Sequence, residues 1–425
     1  MKDLKGKKLL ILGDTYSTIG VIQLAKRLGV YTVVTGIHPN GDARKYADES
    51  IMIPSDDHES LTRYINDAKI DGVMTGASEF QIQNMILLCA KAKLPVYATK
   101  EQWDICQDKS SFKQLCRNYD VPVVPEYEVG ATLRDEEFPV IVKPSDGCSA
   151  RGLIVCYNNE ELRVAEALAR QQSPTGRILI EHYIQNGGRT MSAKYIVSNG
   201  EYYLEIISDR YVMDNGKVTA FVEYPSSFYD LHLKKVNPNI KEMFRSIGIE
   251  NGVFSLQEIP ENDNVFLHEM CLRVTGGMVY KITDAVGNGN ALEMLIHFAL
   301  TGEMCEEKDV RLIDARIKGK SAASLSIPLN EGKISAIDNY HSIASMKNVV
   351  DVTTYYHLGD VITKEKIGSL DQLFARIIVV AESREEMFET YHAIRNSLSI
   401  KDTNGEDMIV WDTFDKLYDE FVSHK

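Results

Sequence analysis

The chain has 425 residues, 44% of them hydrophobic and 25% charged, which is the make-up of an ordinary globular protein of about three domains. A formal net charge of −14 repels polyphosphate and argues against duplex DNA or RNA as the main partner. Seven cysteines without CxxC spacing point to a reduced compartment. The apolar run 9–12 is too short for a signal-peptide core, and no stretch approaches a membrane span. A cytoplasmic protein with no nucleic-acid or membrane partner is expected.

Up to about residue 100, strand-like runs at 9–12, 31–34, 72–74 and 95–97 alternate with helical patterns at 17–28, 58–68 and 79–92. This predicts a parallel α/β layer. Ser78 and Gln81 have capping-box spacing, which would start a helix just after its strand and put Glu79 in the crevice where open sheets bind ligands. Thr99 and Gln102 form a second such pair, and helices run on to about Asn118.

Beyond that point strands come in pairs. FPVIVK and LIVC flank the loop 146–152, a helix follows at 160–170, and then a strand at 178–181. Hairpins are predicted over 190–208, around Asn199-Gly200, and over 252–270, around residues 261–263. From about 305 the tail gives three or four strands, including 375–381, and a final helix capped by Ser383 and Glu386. It reads as a small α+β domain.

The first strand-to-helix turn has Thr15 where a dinucleotide fingerprint needs glycine, with Asp14 beside it, and is read as a simple tight turn. Asp14 and Thr15 are candidates for a substrate-facing wall, as is Glu79. The loop 146–152 is more informative. Lys143 ends an apolar strand, and Gly147, Ser149, Arg151 and Gly152 could fold over phosphates, with the lysine as a point charge. In the last hairpin, period-2 alternation puts Glu269, Cys271 and Arg273 on one face, with Gln257 on the partner strand. A carboxylate and an amide oxygen suit Mg²⁺, and the adjacent arginine suits a phosphoryl group. The bland alternative is a surface pair between Glu269 and Arg273.

Lysine, hairpin loop, hinge strand and carboxylate hairpin occur here in the order found in ATP-grasp carboxylate–amine ligases. The chain resembles that superfamily over about residues 1–300, especially the biotin carboxylase, carbamoyl-phosphate synthase and glycinamide ligase types. The resemblance implies a pre-ATP-grasp α/β domain (1–100), a two-lobed ATP-grasp domain (101–304, small lobe about 120–185) and a C-terminal α+β domain (305–425). It implies ATP contacts from Lys109 in DKSSFKQLC, Lys143, the lid residues Ser149, Arg151 and Gly152, and the hinge Glu181, His182, Tyr183 and Ile184.

The family's Glu-x-Asn-x-Arg motif reads Glu269-Met-Cys271-Leu-Arg273, and its first acidic ligand reads Gln257. Gln257 and Glu269 are therefore the implied ligands for Mg²⁺ or Mn²⁺. Two departures, Cys271 for Asn and Gln257 for an acid, weaken a second metal position. Arg273 and Lys143 are the implied catalytic cations, with Gly276 and Gly277 as backbone donors near substrate.

The implied reaction activates a carboxylate as an acyl phosphate with ATP and captures it with an amine. The alternatives are bicarbonate activation and an ATP-binding relative without turnover. Relatives of this domain order often pair, so a homodimer is an expected assembly.

Overall fold

The computed structural model describes residues 2–145, 152–186, 189–213 and 218–423. The expected lid residues Ser149 and Arg151 lie outside the described residues. Strands β1 (Lys8–Leu12), β2 (Tyr31–Thr35), β3 (Glu49–Ile51) and β4 (Gly72–Thr75) form a parallel sheet in the order β3-β2-β1-β4. Helices α1 (Ile19–Arg27), α2 (His58–Ala68) and α3 (Glu79–Ala92) connect them. β1 is almost continuously buried because both faces of the sheet are covered, as parallel sheets require.

Two expectations fail in this layer. Residues 95–97 form no strand, and the short, largely polar edge strand β3 was not predicted. Ser78 sits at the α3 N-cap but makes no capping hydrogen bond, whereas Thr99 and Gln102 form the reciprocal box expected of them.

After α4 (Lys100–Gln107) and α5 (Lys109–Asn118) comes a small antiparallel sheet of order β5-β8-β6-β7. Its strands are β5 (Glu126–Tyr127), β6 (Val140–Pro144), β7 (Ile154–Cys156) and β8 (Ile178–His182). Val140 and Val142 of β6 bury against Leu162, Ala165 and Ala169 of α6 (Asn159–Gln172), which leaves Lys143 at the strand's mouth.

The large lobe and the C-terminal segment share one antiparallel sheet. In it lie β9 (Arg189–Ser198), β10 (Glu201–Val212), β11 (Thr219–Tyr224), β12 (Gly252–Glu261), β13 (Asn264–Cys271), β14 (Ser321–Pro328), β15 (Val349–Thr354) and β16 (Leu373–Ala381). Their order is β13-β12-β9-β10-β11-β14-β16-β15. The segment from 305 on thus extends the large-lobe sheet, while keeping its own aromatic core under α11 (Arg384–Ser397) and α12 (Asp412–Ser423). Helix α12 follows the helix expected to be last, and two short strand pairs, Gly332–Lys333 with Val361–Ile362 and Ala336–Asp338 with Ser399–Lys401, raise the strand count above three or four.

Helices α7 (Tyr229–Lys235) and α8 (Asn237–Ser246) cover one face of the large sheet, and α9 (Val279–Ala285) and α10 (Ala291–Thr301) lead into the C-terminal segment. α10 packs so closely on β4 that a Cβ at Gly72 would stand 2.1 Å from the Ala299 carbonyl oxygen, which ties the N-terminal layer to the large lobe. Gly319-Lys320-Ser321 has the composition of a phosphate loop but leads straight into β14, and Lys320 pairs with Glu382 at 2.9 Å.

Candidate active site

The small lobe faces α5 across a buried charge cluster. Lys109 and Lys113 are four residues apart and so share one face of α5. Lys113 is fully buried, bonded to Glu181 and, at 2.8 Å, to Glu126. The other Glu181 oxygen lies 2.6 Å from Lys143 Nζ. Burial pushes the Glu181 carboxyl upward, but Lys143 and Lys113 outweigh it and hold it ionised, below the usual range. Burial likewise lowers the Lys143 ammonium, and Glu181 opposes that shift.

Glu181 therefore braces two lysines. In the hinge, His182 and Tyr183 donate their backbone N–H groups to Pro125 and Pro139 carbonyls, both at 2.9 Å. Gly152 adopts a φ of +72°, and a Cβ there would stand 3.0 Å from Pro144 Cγ, so this end of the loop requires glycine.

Across from this cluster, Gln257 and Glu269 are direct register partners in the β12–β13 hairpin, as their spacing predicted. A bulge after Gln257 leaves His268 without a register partner. Burial, with Lys143 next in weight, pushes the His268 imidazole down to about 3, which makes it neutral and a neighbour of the lysine cluster. Glu269 Oε1 lies 3.8 Å from Lys109 Nζ. The Gln257 side-chain oxygen accepts a 2.7 Å bond from Arg210 of β10, a guanidinium that sequence reasoning did not find. Burial pushes the Cys271 thiol up to about 11, so it stays protonated.

Among the described residues no three His, Cys, Asp or Glu side chains converge. The donors fit one hard divalent cation that Glu269 would hold, because Mg²⁺ commonly uses only one or two carboxylates.

Arg273 pairs with Glu79. Its Nη2 lies 3.2 Å from Glu79 Oε1 at the start of α3, and its Nε is buried without a hydrogen-bond partner. Glu79 thus stands beside the arginine. Arg376 of β16 donates at 2.6 Å to the Gly276 carbonyl, which brings the C-terminal segment to the same crevice. A Cβ at Gly276 or Gly277 would meet nothing closer than 3.9 Å, so this backbone is open to a ligand.

Thr15 is exposed, and its hydroxyl lies 3.0 Å from that of Ser17. Asp14 is not a wall residue. Its carboxylate is buried and held by His38 N and Nδ1, both at 2.8 Å, and by Arg44 at 3.0 Å. Lys194 of β9, also missed, is buried in the register row of Ser255, and with Arg273 it lines a small cavity. Its only described hydrogen bond is to Ser192 Oγ at 3.2 Å.

Residues 108–199 match the family model described as "Carbamoyl-phosphate synthase L chain, ATP binding domain". Lys109, Lys113, Lys143, Glu181 and Lys194 all fall inside that match. This chain carries an ATP-grasp domain.

The same domain underlies the wider similarities. The large chain of carbamoyl phosphate synthase from Clostridium botulinum is 22% identical over 305 residues, covering 65% of this chain. This chain accounts for only 28% of that relative's length. The 2-oxoglutarate carboxylase small subunit of Hydrogenobacter thermophilus is 27% identical, covering 88% of this chain and 83% of its own. The crystal structure of an L-amino acid ligase from Bacillus licheniformis has the same fold, with a TM-score of 0.75 at 17% identity over 94% of this chain and 99% of its own. No helix among the described residues is long and apolar enough to cross a membrane.

Proposed function

We propose that the protein is an ADP-forming ligase that activates a carboxylate with ATP and joins it to an amine. One observation carries the reading: Lys143 and Glu181 of the small lobe, with Lys113 and Lys109 of α5, face Glu269 of the large sheet, with Arg273 and Arg376 beyond. A triphosphate spanning the cleft meets cations along its length, and a carboxylate substrate meets the two arginines.

In this reading Lys109 and Lys143 bind the phosphates. The substrate carboxylate attacks the γ-phosphorus, a new O–P bond forms, and the bond to the β-phosphate oxygen breaks to release ADP. Glu269 would hold Mg²⁺ or Mn²⁺, which would supply charge neutralisation at the phosphates. The unpartnered Nε of Arg273 is the donor that holds the oxygen of the acyl group. The amine then attacks the carbonyl carbon, loses its proton, and phosphate departs as the amide forms. Gly276 and Gly277 leave backbone room for that tetrahedral species.

A second reading, in which bicarbonate takes the place of the carboxylate, has the similarity to 2-oxoglutarate carboxylase as its support. ADP release is the test of both. Release that requires a carboxylate and an amine supports the ligase, and release that requires bicarbonate supports the second reading. We take a cytoplasmic homodimer as the working assembly, to be checked by sedimentation.

A further inference from the structure

The face of the large sheet away from the ATP cleft holds a cavity of about 600 Å³ between β9–β11 and the C-terminal helices. Its placement follows from the register. Asp209 pairs with Met191 and with Glu223, and Met191 pairs with Glu258, so Asp209 and Glu223 share the Glu258 face. Arg210 and Gln257, their neighbours in sequence, point to the cleft. The cavity is therefore separate from the site described above. Its volume lies in the range of sites for small organic ligands.

Its lining carries both signs of charge. Arg384 of α11 grips Glu223 with two nitrogens, one of them at 3.2 Å. Asp209 accepts from the Ser226 hydroxyl, and from Ser227 N at 2.9 Å and Ser227 Oγ at 2.6 Å. Arg189 donates to Tyr211 OH at 3.0 Å, and its guanidinium lies over the Tyr211 and Phe228 rings. Its Nε is buried with no hydrogen-bond partner among the described residues. A buried guanidinium N–H without an acceptor is costly unless something supplies one.

With Glu420 the wall presents three carboxylates against two guanidiniums, which disfavours a simple anion such as phosphate. The Asp209 and Glu223 carboxylates can accept more bonds than the described ones. Leu417, Phe388 and Phe421 close the other side with apolar surface.

We propose that this cavity is a second small-molecule site, which takes a zwitterionic α-amino acid with an apolar side chain. The ligand carboxylate bonds Arg189 at its open Nε. The ammonium lies against Asp209 and Glu223, and the side chain packs on Leu417, Phe388 and Phe421. Ligase chemistry plays no part in the argument, so a protein without turnover would still bind there.

The test is calorimetric titration of the full chain with each of the twenty proteinogenic L-α-amino acids, on wild type and three variants. The expected result is binding by an apolar amino acid that weakens at least about tenfold in Arg189→Gln, the scale of one charge-assisted hydrogen bond. The same binding is lost in Leu417→Trp, which fills the cavity, and persists in Arg273→Gln, which alters the front crevice. If Arg189→Gln does not fold, Leu417→Trp decides. The proposal is overturned if no amino acid binds, or if binding survives both back-face substitutions.

Discussion

Lys143 Nζ lies 2.6 Å from one oxygen of Glu181, and the other oxygen of that carboxylate bonds the fully buried Lys113. One carboxylate thus keeps two ammonium groups buried between the small lobe and α5. Glu181→Gln leaves Lys113 facing Glu126 alone and Lys143 without a countercharge. Removing one partner from a buried ionic cluster costs about 3–5 kcal/mol, so urea unfolding should show a loss of that size. Adding Lys113→Met should return part of it. Equal stability of Glu181→Gln and wild type would mean the cluster is not formed.

The cation site is built from weaker ligands than its surroundings allow. Gln257 gives its oxygen to Arg210, and Cys271 stays a thiol. Cys271→Asn places an oxygen ligand on the Glu269 face, and Gln257→Glu adds a charge there. Each should lower the Mg²⁺ concentration needed for half-maximal ADP release by several-fold, about 1 kcal/mol of added ligand interaction. An unchanged Mg²⁺ dependence in both variants would place the metal elsewhere.

What was legible in the sequence was local or periodic. The Gln257–Glu269 pairing followed from a hairpin whose turn and twelve-residue separation fix the register. Lys113 was detectable, since it stands one helical turn beyond Lys109, but burial of a lysine is not written in spacing. Arg210 and Arg376 were out of reach. They enter the cleft from strands far along the chain, through a sheet order that joins β10 and β16 to the same face. Ser78 shows the converse failure, because its capping pattern is present while Gln81 turns toward Gly13 instead.

Lys194 gives the site a pH signature. Burial lowers its ammonium to about 8 and nearby Glu205 opposes the shift. Activity that needs this cation should fall as pH rises through about 8, because the amine is then neutral. Lys194→Arg keeps its charge and should flatten that limb of the kcat profile, whereas Lys194→Met should lower kcat by about 10²-fold or more at every pH. A wild-type profile still flat at pH 10 would remove Lys194 from the reaction.

Asp14 tests the frame rather than the chemistry. Burial alone would raise its carboxyl, but His38 and Arg44 outweigh burial and hold it below the usual 3.8. A carboxyl depressed in the folded state contributes stability above its unfolded value, and that contribution is lost as pH falls through the folded value. Asp14→Asn should cost about 1–3 kcal/mol at pH 7. The gap in Tm from wild type should narrow below about pH 4. A gap independent of pH would show that packing, not charge, explains the loss.

The central claim is that the cleft between Lys143 and Glu269 turns over ATP to activate a carboxylate. The most direct measurement is ADP release by wild type and Lys143→Ala, screened against paired carboxylates and amines and against bicarbonate. The account predicts release by wild type that requires a carboxylate and an amine together, and loss of that release in Lys143→Ala. Near-normal release from Lys143→Ala, or no release by wild type with any pair, would contradict it.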